Sequence, residues 1–264
     1  MYYQRIAILM AGAVVVAPFS SLVAAESDIK VTPYSEVGYV HYSLEFKGDV
    51  PLPNGTFVSG DNKFITDMPS IKVGSAVSYG DFSGNIYYRA TGKGDDIQDF
   101  PKLPGVPSVK WEGDRNDLGV SIGYSITESI QIFGGYRDAE TKASGSYDSE
   151  YKFTTDGFFV GGSYQLGLTD TGALTFSLGY TWQDLKMDEN LIDFQLPQVT
   201  GDGGGVKAGI SWRSLINMNW GYSISADYYD YDFDLDKLGG VKQENKSKMY
   251  ETETTFNVGL FYIF

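Results

Sequence analysis

Alternation of apolar and polar residues, repeated about ten times along the chain, constrains the fold more than any other feature. Successive side chains of a strand point to opposite faces. A run such as Leu174, Phe176, Leu178, Tyr180 and Trp182 against Thr175, Ser177, Gly179, Thr181 and Gln183 therefore makes a ribbon with one apolar face. The pattern returns in Leu118, Val120, Ile122 and Tyr124 against Gly119, Ser121, Gly123 and Ser125, and in Val206, Ala208, Ile210 and Trp212 against Lys207, Gly209, Ser211 and Arg213. Strands are expected near 34–46, 69–79, 84–92, 118–126, 130–138, 157–167, 173–184, 205–213, 219–231 and 252–264. Tyr and Trp stand at both ends of the apolar faces: Trp182, Tyr228, Tyr136 and Tyr88 at one, Tyr124, Tyr262, Trp220 and Trp212 at the other. A soluble sandwich turns its aromatics into a common core, whereas two aromatic belts mark a bilayer. The expected fold class is all-β: a transmembrane antiparallel up-and-down barrel of about ten strands, with eight or twelve as alternatives.

The start of the chain agrees with export. Residues 1–25 carry one cation, Arg5, then an apolar run over 6–19 and the small residues Val23-Ala24-Ala25, which reads as a signal peptide. The run is short for a spanning helix. Residues 26–264 read as one barrel domain in the bacterial outer membrane. With no cysteine, no disulfide holds it. A net charge of -14 excludes the basic face that nucleic-acid binders carry. Short connections at 80–83, 127–129, 169–172 and 214–218 alternate with long windows at 47–67, 93–117, 138–156, 184–202 and 230–253, which hold 26 acids and 13 bases. Long connections normally face outward and short turns the periplasm, so five acidic extracellular loops are expected.

The last strand places Phe256, Val258, Leu260, Tyr262 and Phe264 on one face and ends on an aromatic residue. That resembles the C-terminal signature of bacterial outer-membrane barrels. The resemblance implies recognition by the barrel assembly machinery and an environment of outer-membrane lipid and lipopolysaccharide. To remove both open edges, this strand must pair with the first one around Val40, Tyr42 and Leu44.

Charges on the inward parity define the first candidate site: Glu45, Lys72, Arg89, Arg137, Lys207, Arg213, Asp227 and Glu253. Charge does not face hydrocarbon cheaply, and a ten-stranded barrel is narrow, so these groups are expected to pair across the lumen and plug it. Asp230, Asp232, Asp234 and Asp236 recur at alternate positions above the ninth strand, a row whose repulsion a hard cation, Ca or Mg, relieves. The single histidine, His41, stands in a row with Ser43 and Glu45 that is expected to face inward. A base beside a hydroxyl and a carboxylate is the pattern of an activated nucleophile. The His-x-Ser spacing resembles that of outer-membrane lipid A deacylases, although it falls in the first strand instead of a late one. Omptin-type surface proteases are a second comparison, but no histidine occurs in the later windows. The expected role is non-enzymatic, that of a surface structural or interaction protein with no cofactor and an extracellular ligand that the sequence does not name. A narrow channel for cations or small solutes is the alternative, and an outer-membrane hydrolase the second alternative.

Overall fold

The computed structural model describes residues 29–51, 57–98, 109–146, 149–169, 172–191, 194–195, 198–238, 241–242 and 247–264; the expected signal peptide lies outside them. The strands are β1 (Lys30–Pro51), β2 (Phe57–Tyr79), β3 (Phe82–Thr91), β4 (Gly94–Gln98), β5 (Val109–Ser125), β6 (Ile130–Gly145), β7 (Ser149–Thr169), β8 (Gly172–Leu191), β9 (Phe194–Gln195), β10 (Val199–Leu215), β11 (Trp220–Leu238), β12 (Val241–Lys242) and β13 (Lys248–Tyr262). Neighbours pair antiparallel around a complete ring, β8 with β10 and β13 with β1, so the sheet closes as a barrel of ten staves. Closure joins Val40 to Thr255, Tyr42 to Glu253 and Leu44 to Glu251. β3 and β4 both pair with β5, forming one stave broken at Gly92 and Lys93, where the Gly92 N–H donates to the Pro69 carbonyl at 2.7 Å.

The tight turns use local side-chain caps. Thr127 Oγ1 accepts from the N–H groups of Ser129 and Ile130, and Asn217 Oδ1 from those of Asn219 and Trp220. Such hydroxyl and amide side chains imitate a backbone turn, which suits a reversal between two strands. Gly80 takes φ 55° in the two-residue turn between β2 and β3, a conformation that favours glycine.

The outer wall carries the expected apolar band, with Ile122 74%, Phe158 68% and Leu178 65% exposed. Buried in a soluble protein, such side chains are stable when exposed only if lipid covers them. The band defines membrane-spanning segments at about 31–39, 69–79, 82–90, 118–125, 130–137, 158–166, 174–182, 206–213, 220–228 and 254–262.

The long windows are not simply loops. β2 has 23 residues, β7 21 and β8 20, against the roughly 9–11 that cross a bilayer. Strand pairing runs on past the aromatic belt because nothing in these segments breaks it. At 3.3 Å per residue and a tilt near 40°, about ten surplus residues lift the rim roughly 25 Å above the lipid.

Beyond the lipid, the alternation inverts. Val37 and Tyr39 of β1 face lipid, but Val40 and Tyr42 point inward and are fully buried. Tyr228 faces out, while Tyr229, Tyr231, Phe233 and Leu235 turn in. Water outside the wall and a packed interior reverse the preference that lipid imposes lower down. Phe153, Leu185, Val199, Tyr229, Tyr231, Phe233, Leu235 and Met249 form an apolar core inside the projecting barrel, and Val40, Tyr42 and Met68 a smaller one beside it.

Candidate functional site

Three arginines and three carboxylates meet inside the barrel near the outer edge of the apolar band. β3 brings Arg89, β5 Arg115 and Asp117, β6 Arg137, and β13 Glu251 and Glu253 across the lumen. Arg89 bonds both Asp117 and Glu253. Arg137 Nη2 donates to Asp117 at 2.8 Å and to Glu253 at 2.9 Å, and its Nη1 to the Tyr231 hydroxyl at 2.9 Å. Arg115 lies 2.7 Å from Glu251 and 3.2 Å from Glu253, and it donates to Thr141 Oγ1 at 2.6 Å. Two aromatic rings complete the cage, Tyr42 under Arg115 at 4.9 Å and Tyr229 under Arg137 at 4.6 Å. The six formal charges cancel, as burial demands. Above the membrane, burial pushes the Glu251 carboxyl up against the pull of Arg115 and Arg137.

The apolar core sits directly above this ionic layer, since Met249 and Glu251 are alternate inward residues of β13. Below it, Lys72 pairs with Glu36, and Lys207 lies 3.5 Å from Asp227. Arg213 lines a cavity of about 20 Å³ with Glu36, Ser177, Ser211, Ser223 and Asp227. That volume holds about one water molecule. Among the described residues the ionic group and the apolar clusters thus fill successive levels of the interior with buried side chains.

Of the residues expected in the lumen, Lys72, Arg89, Arg137 and Glu253 are buried inside the barrel, and Lys207, Arg213 and Asp227 line its lower part. Glu45 is a correction: it lies on the outer wall beyond the bilayer and pairs with Lys47 at 3.0 Å. The same parity carries His41 and Ser43 outward, because the inverted alternation reserves the inward positions of β1 for Val40, Tyr42, Leu44 and Phe46. His41 Nδ1 stands 2.7 Å from Asp67 Oδ1. Sequence reasoning missed Arg115, Asp117, Glu251 and Glu36. The first three fall in windows read as loops, although Arg115 and Asp117 share the parity of Gly119 and Ser121, which was the available signal.

Phe256, Val258 and Leu260 face lipid as expected, and Phe264 packs on Tyr262 with ring centres 4.7 Å apart. Asp230 and Asp232 are exposed on the outer wall, and Lys248 Nζ contacts Asp232 at 2.8 Å and Asp234 at 3.6 Å, so a lysine answers two of these charges; the Asp236 side chain lies outside the described residues. Among the described residues no group of three or more acids or histidines is arranged to hold a metal. A different row emerges from the register: Asp138 faces Asp156, Asp156 faces Asp184, Asp184 faces Asp202, and Asp202 faces Asp234, five aspartates in register on adjacent staves beyond the apolar band. Burial and the charge of Asp156 push the Asp138 carboxyl above its usual range.

No protein-family model and no curated protein matches this sequence. Its structure is similar to that of the outer membrane protease OmpT from Escherichia coli, with TM-score 0.56 and 12% identity over 92% of this chain and 99% of that one. It also matches the translocator domain of the autotransporter NalP from Neisseria meningitidis, with TM-score 0.46 and 10% identity over 92% and 90% of the two chains. The OmpT likeness is one of fold. With its closed wall and lipid-facing band, the chain has the fold of the bacterial outer-membrane β-barrels.

Proposed function

We propose that this chain is a closed-lumen outer-membrane protein that acts from its outer wall and raised rim, as a surface structural or interaction protein, without passing solutes. The observation that carries this reading is the buried Arg89–Arg115–Arg137 salt layer inside the barrel with the Phe153–Phe233–Met249 apolar cluster above it. A conducting pore needs a continuous polar path, and the apolar layer interrupts it. The role needs no cofactor and no chemistry in the lumen. The rim faces outward and the short turns the periplasm, so the acidic upper wall meets lipopolysaccharide and whatever binds beyond it. Planar-bilayer recording of the purified barrel tests the reading. A silent membrane is expected, and a steady unitary current carried by the wild-type protein sinks it.

A further inference from the structure

Beyond the apolar band, every joint between neighbouring staves but one carries a backbone ladder among the described residues. The exception lies between β2 and β4. β2 pairs with β3 as far as Ser70 and Thr91, the Gly92 N–H still reaches the Pro69 carbonyl at 2.7 Å, and from there β4 pairs with β5 alone. Pro69 begins the break, because it has no N–H to return to Gly92. Gly94 stays close to β2, where a Cβ would strike Thr66 and the Asp67 carbonyl. Two residues further on the backbones part: the Ile65 N–H, aimed at β4, donates to the side-chain Oδ2 of Asp96 at 2.9 Å. A carboxylate thus stands where the carbonyl of a neighbouring strand belongs.

The same place holds apolar side chains that no lipid covers. Ile65 is 38% exposed and Ile97 66%, and they alone among the described large hydrophobic side chains stand exposed beyond the outer edge of the band. Beside them Lys93 pairs with Glu112 at 3.0 Å and Lys110 with Asp95 at 2.9 Å. The flanking charges are already answered, so what the seam offers a partner is backbone and aliphatic surface. Strand edges in water are normally blunted by a covering segment, a bulge or charge, and this one is held by a single carboxylate.

We propose that the seam between β2 and β4 takes an extended segment of a partner polypeptide, added as a strand to the β2 edge at Ile65. Hydrogen-bond chemistry selects the occupant: the edge asks for a carbonyl to meet the Ile65 N–H and an N–H to meet the Ile65 carbonyl, with side chains repeating every second residue over Ile65 and Ile97. An extended peptide supplies all three, and a lipid or sugar does not. On binding, the incoming carbonyl replaces Asp96, whose carboxylate turns to solvent. The joint at Gly92 and Pro69 keeps the opening from running down into the lipid-facing wall. This names a partner class for the raised wall, and it rests on the reading of that wall as an interaction surface.

The test uses the full-length barrel folded in lipid nanodiscs. The probe is a fluorescent peptide of alternating valine and threonine with a lysine at each end, beside the same peptide N-methylated at alternate amides. Fluorescence anisotropy reads binding. The plain peptide is expected to bind, and the methylated one, which keeps every side chain but cannot pair as a strand, to bind at least about tenfold more weakly. Asp96→Ala should tighten binding about tenfold, since no carboxylate then competes for the Ile65 N–H. Ile65→Pro removes that N–H without touching the ladder to β1 and should abolish binding with unchanged heat-modifiable gel mobility; Ile97→Lys, on the other strand, should weaken it. No binding of the plain peptide overturns the proposal, as does binding that N-methylation or Ile65→Pro leaves intact. A barrel that sediments as a dimer, and as a monomer once Ile65→Pro is introduced, gives the seam to a second copy and overturns it equally. Bilayer recording reports separately on the closed lumen, so a silent barrel that binds no peptide fails this proposal alone.

Discussion

At the residue scale, the most consequential side chains are the buried arginines. Each stands among more than one carboxylate, so removing one leaves opposite charge without compensation in a place water does not reach. Arg137→Ala is expected to cost about 3–5 kcal/mol, read as a lower urea midpoint for loss of heat-modifiable mobility. An unchanged midpoint would mean that water enters the layer. Glycine matters in a different way at Gly161, where an added Cβ would stand 2.5 Å from the Phe133 ring and from the Leu178 carbonyl. Phe133 fills the interior only because that position is bare. Gly161→Ala should therefore destabilise the barrel by overpacking, by about 1–3 kcal/mol in the same assay.

At the scale of the element, the outer row of aspartates is a local conflict that the fold tolerates. Like charges directly opposite on neighbouring strands repel. Asp138, whose carboxyl is raised by burial and by Asp156, shows the effect. A carboxyl with a raised folded pKa lowers stability above that pKa, and the penalty fades as pH falls through it toward the unfolded value near 3.9. Asp138→Asn should thus be more stable than the parent at pH 7 by about 0.2–1 kcal/mol, with the difference gone by about pH 4. Equal midpoints at pH 7 would count against the repulsion. Glu140, two residues along β6, runs the other way: burial alone would raise its carboxyl, but hydrogen bonds from Lys152 and Lys142 outweigh that and hold it below the usual range. The second tier of the wall is thus balanced by lysines. For β13, Phe264 closes the lipid-facing stripe, and its deletion should reduce the folded, membrane-inserted fraction in cells while leaving synthesis unchanged.

For the whole molecule, the proposed closure by two stacked layers gives a prediction that single substitutions cannot. Replacing Arg89, Arg115 and Arg137 together by Ser should leave bilayers silent, because the apolar layer above remains. Truncating Phe153, Phe233 and Met249 to Ala in that background should open a leak. Current from the first variant alone would show that the salt layer is the sole barrier. The projecting barrel also explains why an acidic chain carries so much strand: the upper staves have their own apolar core, so they hold together without lipid.

Much of this was legible in the order of residues. Period-two alternation determined the class, the ten staves, the lipid-facing stripe and the closing strand, because lipid imposes one rule on every spanning segment. The same rule misled at His41, Ser43 and Glu45, where alternation continues but the solvent outside changes from lipid to water and the inward face becomes the apolar one. Paired aromatics such as Tyr228-Tyr229 mark the crossing, yet only depth in the membrane says which of them turns in. The partners of Arg115, the in-register row of aspartates and the His41–Asp67 pair were decided by tertiary structure alone. They depend on register between strands far apart in sequence, and register is settled by closure of the whole ring, which no single segment contains.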